Sequence, residues 1–342
     1  MRTAFVCLSL LLTLNICLAS PRFAKDSLGI FKEEAALNII LTTNMKTLLS
    51  EKDKSIIQPA FIQVQFPDSS LIAEKISLNV RGEYRRKHCY IPSLKLHFKT
   101  SDSSKLRKLK DLKLVCPCGN TTEDEQLLLK EYLVYKIYNL ITDRSFKVRL
   151  AKITFTDTEN KRKAITQYTF LIEDIDDVAS RNKCKEIKVD KLPTENTNRE
   201  HTTLINIFQY MIGNTDWAVP NNHNVKLIAP KKPPVIKPYI VPYDFDFAGI
   251  VNAYYALPAP ELGTASVRER VYRGFPRTMD EVQPVIDLLK DRKEKIYQLI
   301  TEFSLLNDSN KKDMTRYLDE FYRLISSKEN IQYEFIDNAR TQ

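Results

Sequence analysis

Two stretches in the second half of the chain carry side chains able to hold a metal ion beside a phosphate. NTDWAVPNNHNVKLI (214–228) contains Asp216 and Asn224, and VPYDFDFAG (241–249) contains Asp244 and Asp246. Two carboxylates and an amide oxygen suit a hard cation such as Mg²⁺, which takes oxygen ligands and keeps waters and phosphates. Phosphoryl transfer asks for little more: metal on the phosphates, a carboxylate to orient the attacking group and a cation on the leaving side.

The spacing supports that reading. A helix ends near Gly213, Asp216 follows in a turn, and Asn224 stands immediately before the short strand VKLI. YIVPY (239–243) can pair back with VKLI as a hairpin, so that Asn224 starts one arm and Asp244 or Asp246 ends the other. All three would then project from one end, near Asp216. The order Asp, Asn before a strand, Asp after the hairpin is that of a kinase catalytic loop and metal loop. Asp244 and Asp246 also interrupt an apolar run, and alternation puts both opposite Phe245 and Phe247. Charges there are costly unless paired or metal-bound. Plainer roles stand beside these: Asp216 as a turn residue, Asn221 and Asn222 as loop residues beside Pro220, and His223 as a structural histidine.

A phosphate site also needs a cation, in kinases a strand lysine held by a helix glutamate. In RGEYRRKHCYIPSLKLHF (81–98), Lys95 lies between Leu94 and Leu96 and faces away from the apolar side of its strand. Glu131, in the following helix, stands in the right order to pair with it, and Glu125 is a second choice. Arg81 and Gly82 open a turn with Arg85 and Arg86 nearby, a basic cover for phosphates. The chain has only seven glycines and no Gly-rich phosphate loop, which excludes an ordinary protein kinase but not one that cradles phosphates with basic side chains.

The elements that must position these residues change character along the chain. Strand patterns occur at 36–42, 60–66, 72–80 and 93–98, then a helix at 123–141 with an acidic first turn, then strands at 148–156 and 164–173. After a polar connector, 174–200, helical periodicity dominates: 201–213, 278–304 and 310–327. The Pro-rich 229–238 reads as a second linker. Strands with one helix, a connector, then helices predict an α+β protein of two lobes with a ligand cleft between them.

Bulk properties set the outer limits. The 342 residues are 43% hydrophobic and 28% charged, globular values that argue against wholesale disorder. A net charge of +9, spread along the chain, suits an acidic partner without identifying one, and nothing in the pattern points to nucleic acid. MRTAFVCLSLLLTLNICLAS has the layout of a secretory signal with cleavage after Ala19, so a secreted or periplasmic protein with no membrane span after cleavage is expected. Residues 20–173 then form the β-rich lobe and 174–342 the helical lobe. Cys89, Cys116, Cys118 and Cys184 remain, an even count that favours disulfides in an exported chain. Cys116 and Cys118 flank Pro117 and are badly placed to join each other, so each is expected to reach Cys89 or Cys184. Asn120 and Asn307 begin glycosylation sequons.

VRGEYRR…PSLKLHF, LKLVCPC leading into the helix at 124–141, ITQYTFLIEDID, and GNTDW…HNVKL with VPYDFDFAG together resemble the spore-coat protein H (CotH) kinase family over about residues 35–300. The resemblance implies a two-lobed protein-kinase-like fold, with a strand-rich N-lobe and a mainly helical C-lobe, using ATP or another nucleotide with Mg or Mn. It implies Lys95 as the phosphate-binding lysine with Glu131 as its partner, and Glu173 near the adenine. Asp216 would be the catalytic carboxylate, Asn224 a metal ligand, and Asp244 or Asp246 the principal metal aspartate. Asn221 fits the usual kinase spacing from Asp216, but Asn224 is preferred because it is anchored at the strand.

The expected activity is phosphate transfer from a metal–nucleotide to a protein or other hydroxyl acceptor. A second reading is a catalytically inactive pseudokinase serving as a secreted binding or surface-assembly protein. A third treats Asp244-Phe-Asp246 as the acidic motif of a metal-dependent glycosyltransferase, which would not require Lys95 or Asp216.

Overall fold

The computed structural model describes residues 29–98, 106, 109, 111–231 and 237–340. The expected signal segment, with Cys7 and Cys17, lies outside the described residues.

Alternation of apolar and polar side chains produces the strands of the first half. In chain order these are β1 (Leu37–Thr43), α1 (Met45–Ser50), β2 (Gln58–Gln65), β3 (Leu71–Val80), α2 (Glu83–His88), β4 (Leu94–His97), β5 (Asp111–Val115), α3 (Thr122–Ile141), β6 (Val148–Asp157) and β7 (Ile165–Ile172). In β1, Leu37, Ile39 and Leu41 point inward while Asn38, Ile40 and Thr42 face outward, the period-two pattern of a half-buried strand. The strands run β1-β2-β3-β4-β5-β7-β6 and close into a barrel, because β6 pairs in parallel with β1 from Leu37↔Ala151 to Thr43↔Asp157. All other pairs in the barrel are antiparallel. Closure removes the exposed edges that an open sheet would leave.

The second half comprises α4 (Ile175–Arg181), β8 (Cys184–Ile187), α5 (Arg199–Ile212), β9 (Val225–Pro230), β10 (Tyr239–Pro242), α6 (Met279–Thr301), α7 (Asp308–Leu324) and α8 (Lys328–Gln332), which runs into a π-helical turn, Tyr333–Asp337. β10, β9 and β8 form a separate antiparallel sheet.

This architecture corrects the expected fold. The chain does not form a two-lobed kinase fold with a mainly helical C-lobe: its strands close into a seven-stranded mixed barrel, and its second half builds a sheet of its own. Period-two alternation identifies strands but not their partners, and the parallel β1–β6 pairing links segments over a hundred residues apart. The supposed connector 174–200 likewise contains α4 and β8.

Two apolar cores result. One fills the barrel with residues such as Ile39, Ile62, Leu78, Leu94, Leu96 and Leu114. The other gathers α3 with α5, α6 and α7 around Tyr135, Phe208, Phe245, Ile286 and Phe321. α3 is fixed at its start by reciprocal bonds: Asp124 N donates to Thr121 Oγ1 at 3.2 Å, and Thr121 N donates to Asp124 Oδ2 at 3.1 Å. Cys118 is joined to Cys89, tying the end of α2 to the segment before α3, whereas Cys116 and Cys184 are buried free thiols. Among the described residues, no helix is long and apolar enough to cross a membrane.

Candidate metal and phosphate site

Two loops meet where α5 ends. Gly213 closes the helix with φ +66°, and its carbonyl accepts from Gly249 N at 2.9 Å, while Ile212 O accepts from Ile250 N at 3.0 Å. A Cβ on Gly213 would stand 1.9 Å from the Tyr317 hydroxyl, and one on Gly249 would stand 2.5 Å from it. Only glycine fits at this crossing, which fixes the Asp216 loop against the loop carrying Asp244 and Asp246.

The expected hairpin forms. β9 and β10 pair antiparallel with Val225 opposite Pro242, and Tyr243 N donates to Asn224 O at 3.0 Å. Asn224 and Asp244 therefore flank the same end, both with left-handed backbone at φ +50° and +65°. Asn224 Nδ2 donates to Asp216 Oδ2 at 2.9 Å and to Asp216 O at 2.8 Å. The other carboxylate oxygen, Oδ1, lies 2.6 Å from His223 Nε2. Asn221 is exposed and turns the loop, accepting from His223 N at 3.3 Å. The residue expected beside a metal thus fastens Asp216, through its amide nitrogen.

Facing this loop is a buried acidic cluster. Glu131 of α3, Asp244 and Asp246 each present a carboxylate oxygen within 4.8 Å of the others. Arg85 of α2 spans two of them, with Nη2 2.7 Å from Glu131 Oε2 and 2.9 Å from Asp246 Oδ2, while Nη1 donates to Cys116 O at 2.7 Å. Three carboxyl groups thus share one guanidinium. Burial, against the opposing pull of Arg85, pushes the Glu131 carboxyl up to about 8 and that of Asp246 up to about 6. Glu131 Oε1 is buried without a hydrogen-bond partner. Tyr255 completes the cluster, its hydroxyl 3.3 Å from Asp246 Oδ2. Phe245 points the opposite way, fully buried against Tyr135 at 4.7 Å between ring centroids.

A cleft of about 470 Å³ is lined by Asp216, Asn224, Asp244 and Asp246 together with the basic side chains of Arg81, Arg85 and Lys87 and with His88. Arg81 and Arg85 both line the cleft, but Arg85 is also locked among the carboxylates, paired with Glu131 and Asp246.

Lys95 and Glu173 stand elsewhere. Lys95 ends on Asp111, 3.0 Å away on the neighbouring strand, and Glu131 is paired with Arg85 instead. Glu173 is buried, holding Arg181 at 3.1 Å and accepting from Lys147 N at 2.9 Å, which makes it a structural anchor for α4. The cation nearest in kind to the one sought is Lys113 of β5, the direct cross-strand neighbour of Lys95. Its ammonium sits 5.2 Å from the Tyr243 ring centroid and 5.6 Å from that of Phe146. Burial, then the charges of Arg81 and Lys226, lower its pKa to about 8, with Asp244 among the opposing charges. Lys113 was legible in principle: DLKLV repeats the alternation of SLKLHF and stands immediately before the CPC segment and α3.

The chain matches no family model and no curated protein.

Proposed function

We propose that this cleft transfers a phosphoryl group from a Mg²⁺- or Mn²⁺-bound nucleotide such as ATP to a hydroxyl on a protein or other acceptor. The observation that carries the reading is the Glu131–Asp244–Asp246 cluster, three carboxyl groups within 4.8 Å of one another that share a single guanidinium. The residues fit such an ion on chemical grounds: all three donors are hard oxygens, and Glu131 Oε1 is a buried acceptor without a partner. When bound, the ion would neutralise phosphate charge and orient the transferring group.

The chain's own residues supply the rest. Arg85 holds Glu131 and Asp246 in place, so the donor set is arranged in advance. Arg81, in the cleft wall, and Lys113, beside Tyr243, supply positive charge for phosphates in a chain that has no Gly-rich loop. Asp216, held by Asn224 and His223, stands in the cleft wall where the acceptor hydroxyl would be received. None of this depends on a two-lobed fold, since chemistry resides in the site rather than in the architecture around it. The resemblance of its motifs to the CotH kinases and the expected secretory signal extend the proposal to an exported enzyme.

The test is Mg²⁺- or Mn²⁺-dependent phosphate transfer from labelled nucleotide by the purified protein, with Asp244→Asn and Asp246→Asn beside wild type. Transfer lost in both variants supports the reading. Nucleotide binding without transfer in wild type would instead indicate a binding protein, and preference for a nucleotide sugar a glycosyltransferase.

A further inference from the structure

We infer that the acceptor's proton is taken by His223, with Asp216 as the residue that positions it. This rests on the phosphotransfer reading and assigns the base within the same cleft. Asp216 already carries a donor on each carboxylate oxygen, His223 on Oδ1 at 2.6 Å and Asn224 on Oδ2 at 2.9 Å. Each of its oxygens is thus already engaged by a side chain of its own loop. An ionised carboxylate only accepts, so His223 Nε2 carries the ring proton and Nδ1 holds the free lone pair. Among the described residues, Nδ1 has no hydrogen-bond partner, and His223 lines the cleft with Asp244 and Asp246.

Comparison with the other histidines sharpens the assignment. His97 also lies on an aspartate, Asp111 at 2.8 Å, but its second nitrogen is taken by Asn79 at 2.7 Å, so that ring is fastened at both ends. His201 is buried on Ile240 O at 2.8 Å, and His88 bonds Tyr84 O at 3.0 Å. The His223 loop is built to hold its ring. Ala218 and His223 exchange two backbone bonds of 2.9 Å, and Arg273 Nη1 holds Thr215 O and Trp217 O at 2.6 Å each.

In the step so assigned, the acceptor O–H bond breaks and its proton passes to His223 Nδ1. The acceptor oxygen bonds the terminal phosphorus, and the bond from that phosphorus to the bridging oxygen breaks with its electron pair leaving on the nucleoside diphosphate. Asp216 stabilises the imidazolium that results, the role a carboxylate plays behind a basic histidine in other catalytic pairs.

Two measurements test this. In the first, His223→Ala and His223→Gln are compared with wild type in transfer and in Mn²⁺–nucleotide affinity. The expected result is a turnover loss of about 10²–10⁴-fold with affinity retained, partly restored to His223→Ala by added imidazole. The double variant with Asp216→Asn is expected to be no slower than the slower single one, because the two residues act as a unit. Full turnover in both His223 variants overturns the proposal. In the second, diethyl pyrocarbonate labels the histidines of wild type and Asp216→Asn without any nucleotide. Severalfold slower labelling of His223 in the variant, with His88 unchanged, supports the pair, and equal labelling overturns it. Because this arm needs no phosphoryl donor, failure of transfer in wild type counts against the phosphotransfer reading alone.

Discussion

Arg85 bridges Glu131 and Asp246, its Nη2 standing 2.7 Å from one carboxylate and 2.9 Å from the other. The three side chains come from α2, α3 and the loop after β10, so a single guanidinium joins the barrel to the second core. With one cation among three carboxylates, the arrangement is stable enough to form yet short of positive charge.

Arg85→Leu removes that cation and leaves two buried carboxylates facing each other. Breaking a buried pair on one side costs about 3–5 kcal/mol, so urea denaturation should show a loss of that size in metal-free protein. Arg85→Lys should recover only part of it, since an ammonium cannot reproduce the planar fork that contacts Glu131, Asp246 and Cys116 O together. A variant as stable as wild type would show that the bridge carries no stability.

The pH dependence of stability follows from the same cluster. Glu131 and Asp246 keep their protons up to about 8 and about 6 in the folded protein, against ordinary values near 4 in the unfolded chain. Over that interval the native state binds more protons than the unfolded one, so these groups make stability fall as pH rises. In chelator, Tm should therefore drop between pH 5.5 and pH 8, and Glu131→Gln should flatten the slope. A Tm that rises across this window in wild type would contradict the assignment.

Lys113 and Lys95 give opposite expectations although they are cross-strand neighbours. Lys113→Ala should weaken nucleotide binding by about 1.5–3 kcal/mol, the worth of a hydrogen bond to a charged group. Lys113 stands over Tyr243, a residue of the cleft lining, whereas Lys95→Ala removes only a contact with Asp111 and should leave affinity unchanged. Fluorescent-nucleotide titration of both variants distinguishes them, and a larger loss in Lys95→Ala would restore the reading from sequence.

That exchange shows where sequence reasoning reached and where it stopped. Local patterns were readable: the strand at 148–156 is β6, the helix at 123–141 is α3, and VKLI with YIVPY is the β9–β10 hairpin. The hairpin placed Asn224 and Asp244 at one end correctly, because Val225 pairs with Pro242 where the two antiparallel strands meet that end. Barrel closure was not readable, since nothing within β1 or β6 marks the other as its partner. Lys95 and Lys113 look alike for a related reason: both sit between leucines on an outward face, and only three-dimensional placement shows which one stands beside Tyr243 and Arg81. Arg85 was singled out for phosphate, but burial beside Glu131 and Asp246 turned it into their counter-charge.

The disulfide should matter for the site as well as for the chain. Cys89 caps α2, where its amide donates to Arg85 O at 2.9 Å, and the bridge to Cys118 closes a separation of 29 residues. A loop of that size contributes about 3–4 kcal/mol in the chain-entropy account. Cys89→Ser with Cys118→Ser should lose about that much stability, read by urea denaturation. Cys116, buried and with its thiol pushed up to about 12, should stay unmodified by iodoacetamide in the native protein.

The most direct measurement is calorimetric titration of Mn²⁺ with ATP into wild type, Asp244→Asn and Asp246→Asn at pH 8. Saturable, metal-dependent binding in wild type, weakened in both variants by about 1.5–3 kcal/mol or more, is the expected result. No binding in wild type, or undiminished binding in both variants, would contradict the assignment of the Glu131–Asp244–Asp246 cluster as a metal–nucleotide site.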